Sequence, residues 1–146
     1  MPAVPTRLAR ITAASYAALL VTAIAGYGCA DSPAAPTMVV QGVTWKLEAI
    51  ERTGSATIAI ANPEVYTLVF EADGRLNVRA DCNTCNGRYT LDGRSLSTSQ
   101  VACTRVFCGT AIDVTFATAL GEVRTVTVNG SQLLLEGPGL TLRFRS

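Results

Sequence analysis

The sequence predicts an α+β fold that is mostly β: an antiparallel meandering sheet of about eight strands, curled towards a barrel, with one helix near residues 110–120. Short runs of alternating apolar and polar residues recur from residue 43 to the end of the chain. Asp-Gly and Asn-Gly pairs separate several of these runs and supply the positive φ angles of tight hairpins. Apolar residues at helical spacing occur once.

Residues 43–50 place Val43, Trp45, Leu47 and Ala49 on one face of a half-buried strand, with Trp45 as its core anchor; Ile50 breaks the alternation. Residues 57–61 are a short second candidate, ended by Asn62-Pro63. Tyr66, Leu68 and Phe70 share one face of a strand that runs to Glu71. Asp73-Gly74 turns the chain into a return strand over residues 76–80. Residues 86–91 form the next strand, Asp92-Gly93 the next turn, and residues 95–99 the strand returning from it. In the helix, Ala111, Ile112, Thr115, Phe116, Ala119 and Leu120 make the apolar face, with Thr110 placed to cap the start and Gly121 to end it. Residues 123–128, 132–136 and 140–144 close the chain as three strands, separated by Asn129-Gly130 and Gly137-Pro138-Gly139.

Ahead of this domain, residues 1–28 have the layout of an export signal: Arg7 and Arg10 in a short basic segment, an uncharged run over 11–28, and the small Gly28 before Cys29. The run resembles a bacterial lipobox, which implies lipidation of Cys29 as the new N-terminus. Residues 29–40 are small, polar and Pro-rich and read as a flexible tether, and 41–146 as the folded domain. The expectation is a protein held by lipid on a membrane outside the cytosol, on the periplasmic face or in the outer membrane if the cell is Gram-negative. There, Ala30 rather than Asp after Cys29 favours the outer membrane. An uncleaved anchor, or ordinary cleavage that leaves Cys29 a free thiol, would also place the domain outside the cytosol.

The composition narrows the chemistry. Without Arg7 and Arg10 the 12 basic residues fall to 10, against 11 acidic ones, so no basic field exists to attract nucleic acid. Histidine is absent and Lys46 is the single lysine, which removes the commonest general base and the commonest metal ligand. No enzyme activity and no cofactor are expected. A monomer is expected, meeting the membrane through its lipid and an unidentified envelope component through its domain.

Cys82, Cys85, Cys103 and Cys108 follow the spacing C-x2-C-x17-C-x4-C. Outside the cytosol this reads as two structural disulfides, with all three pairings open. An all-thiolate zinc site and an active redox pair are the alternatives. The redox reading is weakened because Asn86-Gly87-Arg88-Tyr89 follows Cys85, whereas a reactive CxxC ordinarily opens a helix.

Residues 81–89, Asp-Cys-Asn-Thr-Cys-Asn-Gly-Arg-Tyr, resemble the signature of the META domain family, the HslJ-like heat-inducible envelope proteins. Cys82-Asn83, Gly87-Arg88-Tyr89, the Asp92-Gly93 turn and Ala102-Cys103 match in order. Trp45-Lys46-Leu47 and Leu68-Val69-Phe70 with Asp73-Gly74 match upstream; residues 116–120, 133–135 and 140–144 match downstream. Asp81 stands where the family carries Gly, and Cys85 with Cys108 resembles the extra pair of a four-cysteine branch. The resemblance implies a compact β fold with one helix, envelope placement, and links to stress or drug tolerance; it carries over no catalytic residue.

Candidate binding residues are Asn83, Asn86, Arg88 and Arg105, beside the cysteines. Against this, asparagines in turns bond their own backbone, and Arg88, Arg94 and Arg105 would ordinarily form a solvated face. Asp73, Asp81 and Asp92 are expected to serve turns, and Tyr89 to pack with its hydroxyl at the surface. The leading function is a membrane-tethered, non-enzymatic binding or stress-tolerance module. The alternatives are a redox or metal-handling lipoprotein using the four cysteines, and a small-ligand binder or inhibitor that uses the barrel mouth and the loops at 83–87 and 104–109.

Overall fold

The computed structural model describes residues 39–146; the leader, Cys29 and most of the expected tether lie outside them. In chain order the elements are β1 Thr44–Arg52, β2 Ile58–Ala59, β3 Tyr66–Phe70, β4 Arg75–Ala80, β5 Asn83–Asp92, β6 Ser95–Thr98, β7 Ala102–Cys103, helix α1 Ile112–Glu122, β8 Thr125–Asn129, β9 Gln132–Gly137 and β10 Leu140–Arg145. All but β2 and β7 form a closed eight-stranded antiparallel barrel in the order β1-β3-β4-β5-β6-β8-β9-β10, with β10 returning to pair β1. This is the mostly β meander with one helix that the alternation predicts. The interior is filled by side chains, among them Trp45, Leu47, Leu68, Phe70, Leu76, Leu96, Leu133, Leu135, Leu142 and Phe144. Val40, at the end of the expected tether, is buried with them, and its carbonyl accepts a 3.0 Å hydrogen bond from Trp45 Nε1.

The break in alternation at Ile50 is a β-bulge. The register of β1 against β10 shifts between Leu47 and Ala49, so two residues, Glu48 and Ala49, separate the inward Leu47 from the inward Ile50. The extra residue resets the parity and bends β1, which lets its first part pair with β3 while its later part pairs with β2 and β10. The candidate strand at 57–61 shrinks to two exposed residues. Strand β5 is longer than expected and starts at Asn83, so both Asn83 and Cys85 belong to the sheet.

The helix runs one or two residues later than expected. Ala111 holds the capping position without a side-chain hydrogen bond, and Gly121 lies inside the helix, which ends at Val123 in an extended conformation. Thr110 therefore does not cap, and Gly121 does not terminate. One end of α1 is fixed by Arg52, whose two guanidinium nitrogens meet the Glu122 carboxylate at 2.7 and 3.0 Å. Strand β9 passes closely here: a Cβ at Gly137 would collide with the Glu122 carbonyl oxygen. Phe116, Ala119 and Leu120 enter the core, with the Phe116 ring 6.2 Å from Tyr66 and 6.0 Å from Phe144. The helix packs against β4, β6 and β10 and so plugs the barrel. Strands β6 and β8, which flank the β7–α1 segment in the chain, share one register pair, Ser95 with Thr125. Thr98 Oγ1 on β6 donates to the Leu120 carbonyl at 2.6 Å, so the helix fills the place where those two strands diverge.

Candidate functional site

The four cysteines form two nested disulfides, Cys82–Cys108 and Cys85–Cys103. Cys85 and Cys103 are register partners on β5 and β7. Both bridges therefore bind the segment from β7 to α1 onto the start of β5. All four sulfurs are paired in this oxidised state, so no free thiolate is present to form the all-thiolate zinc site considered from the spacing.

Asn83 organises this segment from beneath. It is 3% exposed. Its Nδ2 lies 2.9 Å from both the Val106 carbonyl and Asp113 Oδ2, and 3.2 Å from Cys108 Sγ. Its Oδ1 accepts from Thr104 Oγ1 and from the Val106 N–H, each at 2.9 Å. The side chain is thus saturated by a loop more than 20 residues away, not by its own turn and not by solvent. Asp113, turned inward from the first turn of α1, is the other buried polar residue among those described.

Next to Asn83, Asp81 has φ +60°, the one non-glycine positive φ among the described residues. A left-handed backbone there is what Gly provides in the family pattern. The Asp81 carboxylate accepts from the Tyr66 hydroxyl at 3.2 Å, and its N–H donates to the Val65 carbonyl at 2.7 Å. Burial, with the charges of Asp81 and Asp113 nearby, holds the Tyr66 hydroxyl above the ordinary tyrosine range. Asp73 serves its turn as expected, accepting the Arg75 N–H, and this bond draws its carboxylate below the usual range. Tyr89 corrects an expectation: it is buried, edge-on to Phe70 at 4.9 Å, and its hydroxyl donates inward to the Glu71 carbonyl at 2.7 Å while accepting from Gln41 Nε2.

The anchored segment walls a groove of about 1190 Å³ between β7 and the outer face of α1. Its apolar lining includes Val101, Val106, Phe107 and Val114. Phe107 is 88% exposed, Val114 64% and Val106 57%. In an antiparallel ladder alternate residues turn their backbone groups to the partner strand. The Thr104 N–H donates to the Thr84 carbonyl and Ala102 opposes Asn86, so the peptide groups of Val101, Cys103 and Arg105 face the groove. Strand β7 pairs β5 alone, and this edge is open.

The sequence candidates separate on this frame. Arg105 lines the groove. Asn83 also lines it, at its base, with its side-chain polar atoms engaged by the 104–113 segment. Asn86 is exposed on β5 between Asn77 and Ala102, and Arg88 is exposed opposite Arg75. Arg94 is drawn away to Thr127 Oγ1. The groove lies along β7 and the outer face of α1, not in the barrel interior, which is filled by side chains. Of the loops expected to surround a ligand, Asn83 from the first and residues 104–107 from the second line the groove. Val106 and Phe107 lie in the 104–109 loop expected from the sequence; the exposed apolar lining residue it did not single out is Val114, which falls outside the apolar face read for the helix.

No functionally curated protein matches the chain significantly. Solved structures do share its fold. A protein from Burkholderia xenovorans, solved by NMR, superposes with a TM-score of 0.61 at 24% identity, over 73% of this chain and 82% of that one. A DUF4847 family protein from Bacteroides vulgatus superposes with a TM-score of 0.56 at 15% identity, over 73% of this chain and 94% of that one. The META domain model matches residues 38–146, the plugged barrel together with its disulfide-bound segment, and the chain belongs to the META domain family.

Proposed function

We propose that this protein is a lipid-tethered module of the bacterial cell envelope that binds an extended polypeptide segment and performs no catalysis. The groove carries this reading: exposed apolar side chains beside an open strand edge are the features that receive an added β-strand. Main-chain hydrogen bonds to Val101, Cys103 and Arg105 would supply the pairing, and Val106, Phe107 and Val114 the apolar contacts. The nested disulfides support an oxidising location, and the layout of residues 1–29 supports export and lipidation at Cys29. Stress or drug tolerance, which the family resemblance implies, is then a consequence of binding at this groove.

A fluorescent octapeptide of alternating Val and Thr tests the reading by polarisation. Binding is expected to saturate, to weaken on Phe107→Ser, and to vanish when alternate peptide nitrogens of the probe are methylated. Equal binding by the methylated probe would show that no strand is added. Loss of labelled lipid on Cys29→Ala tests the tether separately.

A further inference from the structure

The two disulfides differ in their surroundings. The Cys85 sulfur belongs to the barrel core, with the residue 0% exposed, and its bridge joins two adjacent strands. Cys82 is exposed at the tip of the β4–β5 turn, and Cys108 sits in the loop before α1. The Cys108 sulfur also has two donors aimed at it, the Cys82 N–H at 3.3 Å and Asn83 Nδ2 at 3.2 Å. Asp113 Oδ2, 3.8 Å from the same sulfur, opposes negative charge there, but Asn83 Nδ2 lies 2.9 Å from that oxygen and partly neutralises it.

We infer that Cys82–Cys108 is a site of reversible thiol–disulfide exchange, reduced by a dithiol oxidoreductase while Cys85–Cys103 stays closed. A thiolate of the reductant attacks the exposed Cys82 sulfur, forming a mixed disulfide as the Cys82–Cys108 bond breaks. Cys108 leaves with the electron pair as a thiolate, received by the Cys82 N–H and Asn83 Nδ2, and is then protonated by water. The second thiol of the reductant attacks the mixed disulfide, releases Cys82 as a thiol and leaves the reductant oxidised. The carbonyl and N–H of Val106 remain latched on Asn83, so the change falls on residues 107–111. That segment includes Phe107 and leads into α1, and it loses its covalent anchor. Exchange would thus regulate the groove, a consequence that rests on the binding proposed above.

The full chain, purified without reductant, would be exposed to graded dithiol buffer, trapped with an alkylating mass tag and mapped by peptide mass analysis. Cys82 and Cys108 are expected to be tagged at a reductant concentration about tenfold below that needed for Cys85 and Cys103. Tagging of all four together, or of Cys85 and Cys103 first, would overturn the inference. The partly reduced chain and the Cys82→Ser/Cys108→Ser variant should both bind the Val/Thr octapeptide severalfold more weakly than the oxidised chain. Unchanged affinity in both would refute the regulation. An oxidised chain that binds no octapeptide would sink the groove reading and leave the order of reduction standing on its own result.

Discussion

Replacing Asn83 by Ala removes a single buried side chain yet should detach an entire loop. Four nitrogen–oxygen contacts disappear, two through Nδ2 and two through Oδ1. Neutral hydrogen bonds contribute about 1 kcal/mol each and one to a carboxylate about 2 kcal/mol, so the loss sums to about 5 kcal/mol. Both disulfides still hold the loop near its place, and water entering the vacated space recovers part of this. An expected loss of about 3–4 kcal/mol remains, or roughly 15–25 °C in Tm for a domain of this size. Urea unfolding followed by Trp45 fluorescence, with the disulfides intact, measures it. Asn86→Ala, on the exposed face of the same strand, is the control and should stay within about 0.5 kcal/mol. A loss below about 1 kcal/mol for Asn83→Ala would refute the view that this side chain holds the segment. Asn83→Asp keeps the shape but sets a second carboxylate oxygen at the 2.9 Å position facing Asp113. That like-charge repulsion should make this variant clearly less stable than the parent in the same urea assay.

Further outcomes concern the backbone, the helix anchor and the nested bridges. Asp81→Ala and Asp81→Gly both lose the bond to Tyr66, so their difference isolates the left-handed backbone: Gly should be more stable than Ala by about 1–2 kcal/mol in thermal unfolding. Glu122 is held below the usual carboxylate range chiefly by its hydrogen bonds to Arg52. A depressed carboxylate stabilises the fold above its unfolded value and loses that contribution as pH falls through the folded value. Glu122→Gln should therefore flatten the acid side of the stability–pH curve below about pH 4.5, and by less than about 1 kcal/mol, since the pair is more than one-third exposed. Gly137→Ala forces β9 away from the end of α1 and should cost about 2–3 kcal/mol, read by urea midpoint. With Cys85–Cys103 intact, Cys82–Cys108 closes a residual ring of only about 10 residues, so Cys82→Ser/Cys108→Ser should cost about 2–3 kcal/mol by the loop-entropy relation.

The barrel was legible because each strand buries one face, and that requirement writes period two into the sequence. Even the lapse at Ile50 carried information, since a parity change within a strand is what a bulge produces. The helix ends were misread for an identifiable reason. Thr110 and Gly121 satisfy local rules, but tertiary partners fix this helix instead: Arg52 at Glu122, and Asn83 at Asp113. Strand β7 escaped notice because two residues show no period. The site was half legible. Its cysteines and Asn83 stood out, but that Asn83 holds the 104–113 segment as well as lining the groove depends on partners more than 20 residues away. Phe107 is apolar in sequence and nothing local distinguishes an exposed Phe from a core one; only the disulfides and Asn83, acting across more than 20 residues, decide that it faces outward.

The pairing of β10 with β1 has a consequence for biogenesis. The first and last strands of the domain are neighbours, so ring closure joins residues almost 100 positions apart, Lys46 with Arg145. Such a contact is the slowest kind to form, because loop-closure entropy must be met before the pairing stabilises anything. Until the final residues have emerged, one edge of β1 lacks its partner strand, and the nascent chain cannot close its barrel. A polypeptide built this way stays threadable throughout synthesis. It also arrives with two unpaired edges that can capture a second chain before they find each other.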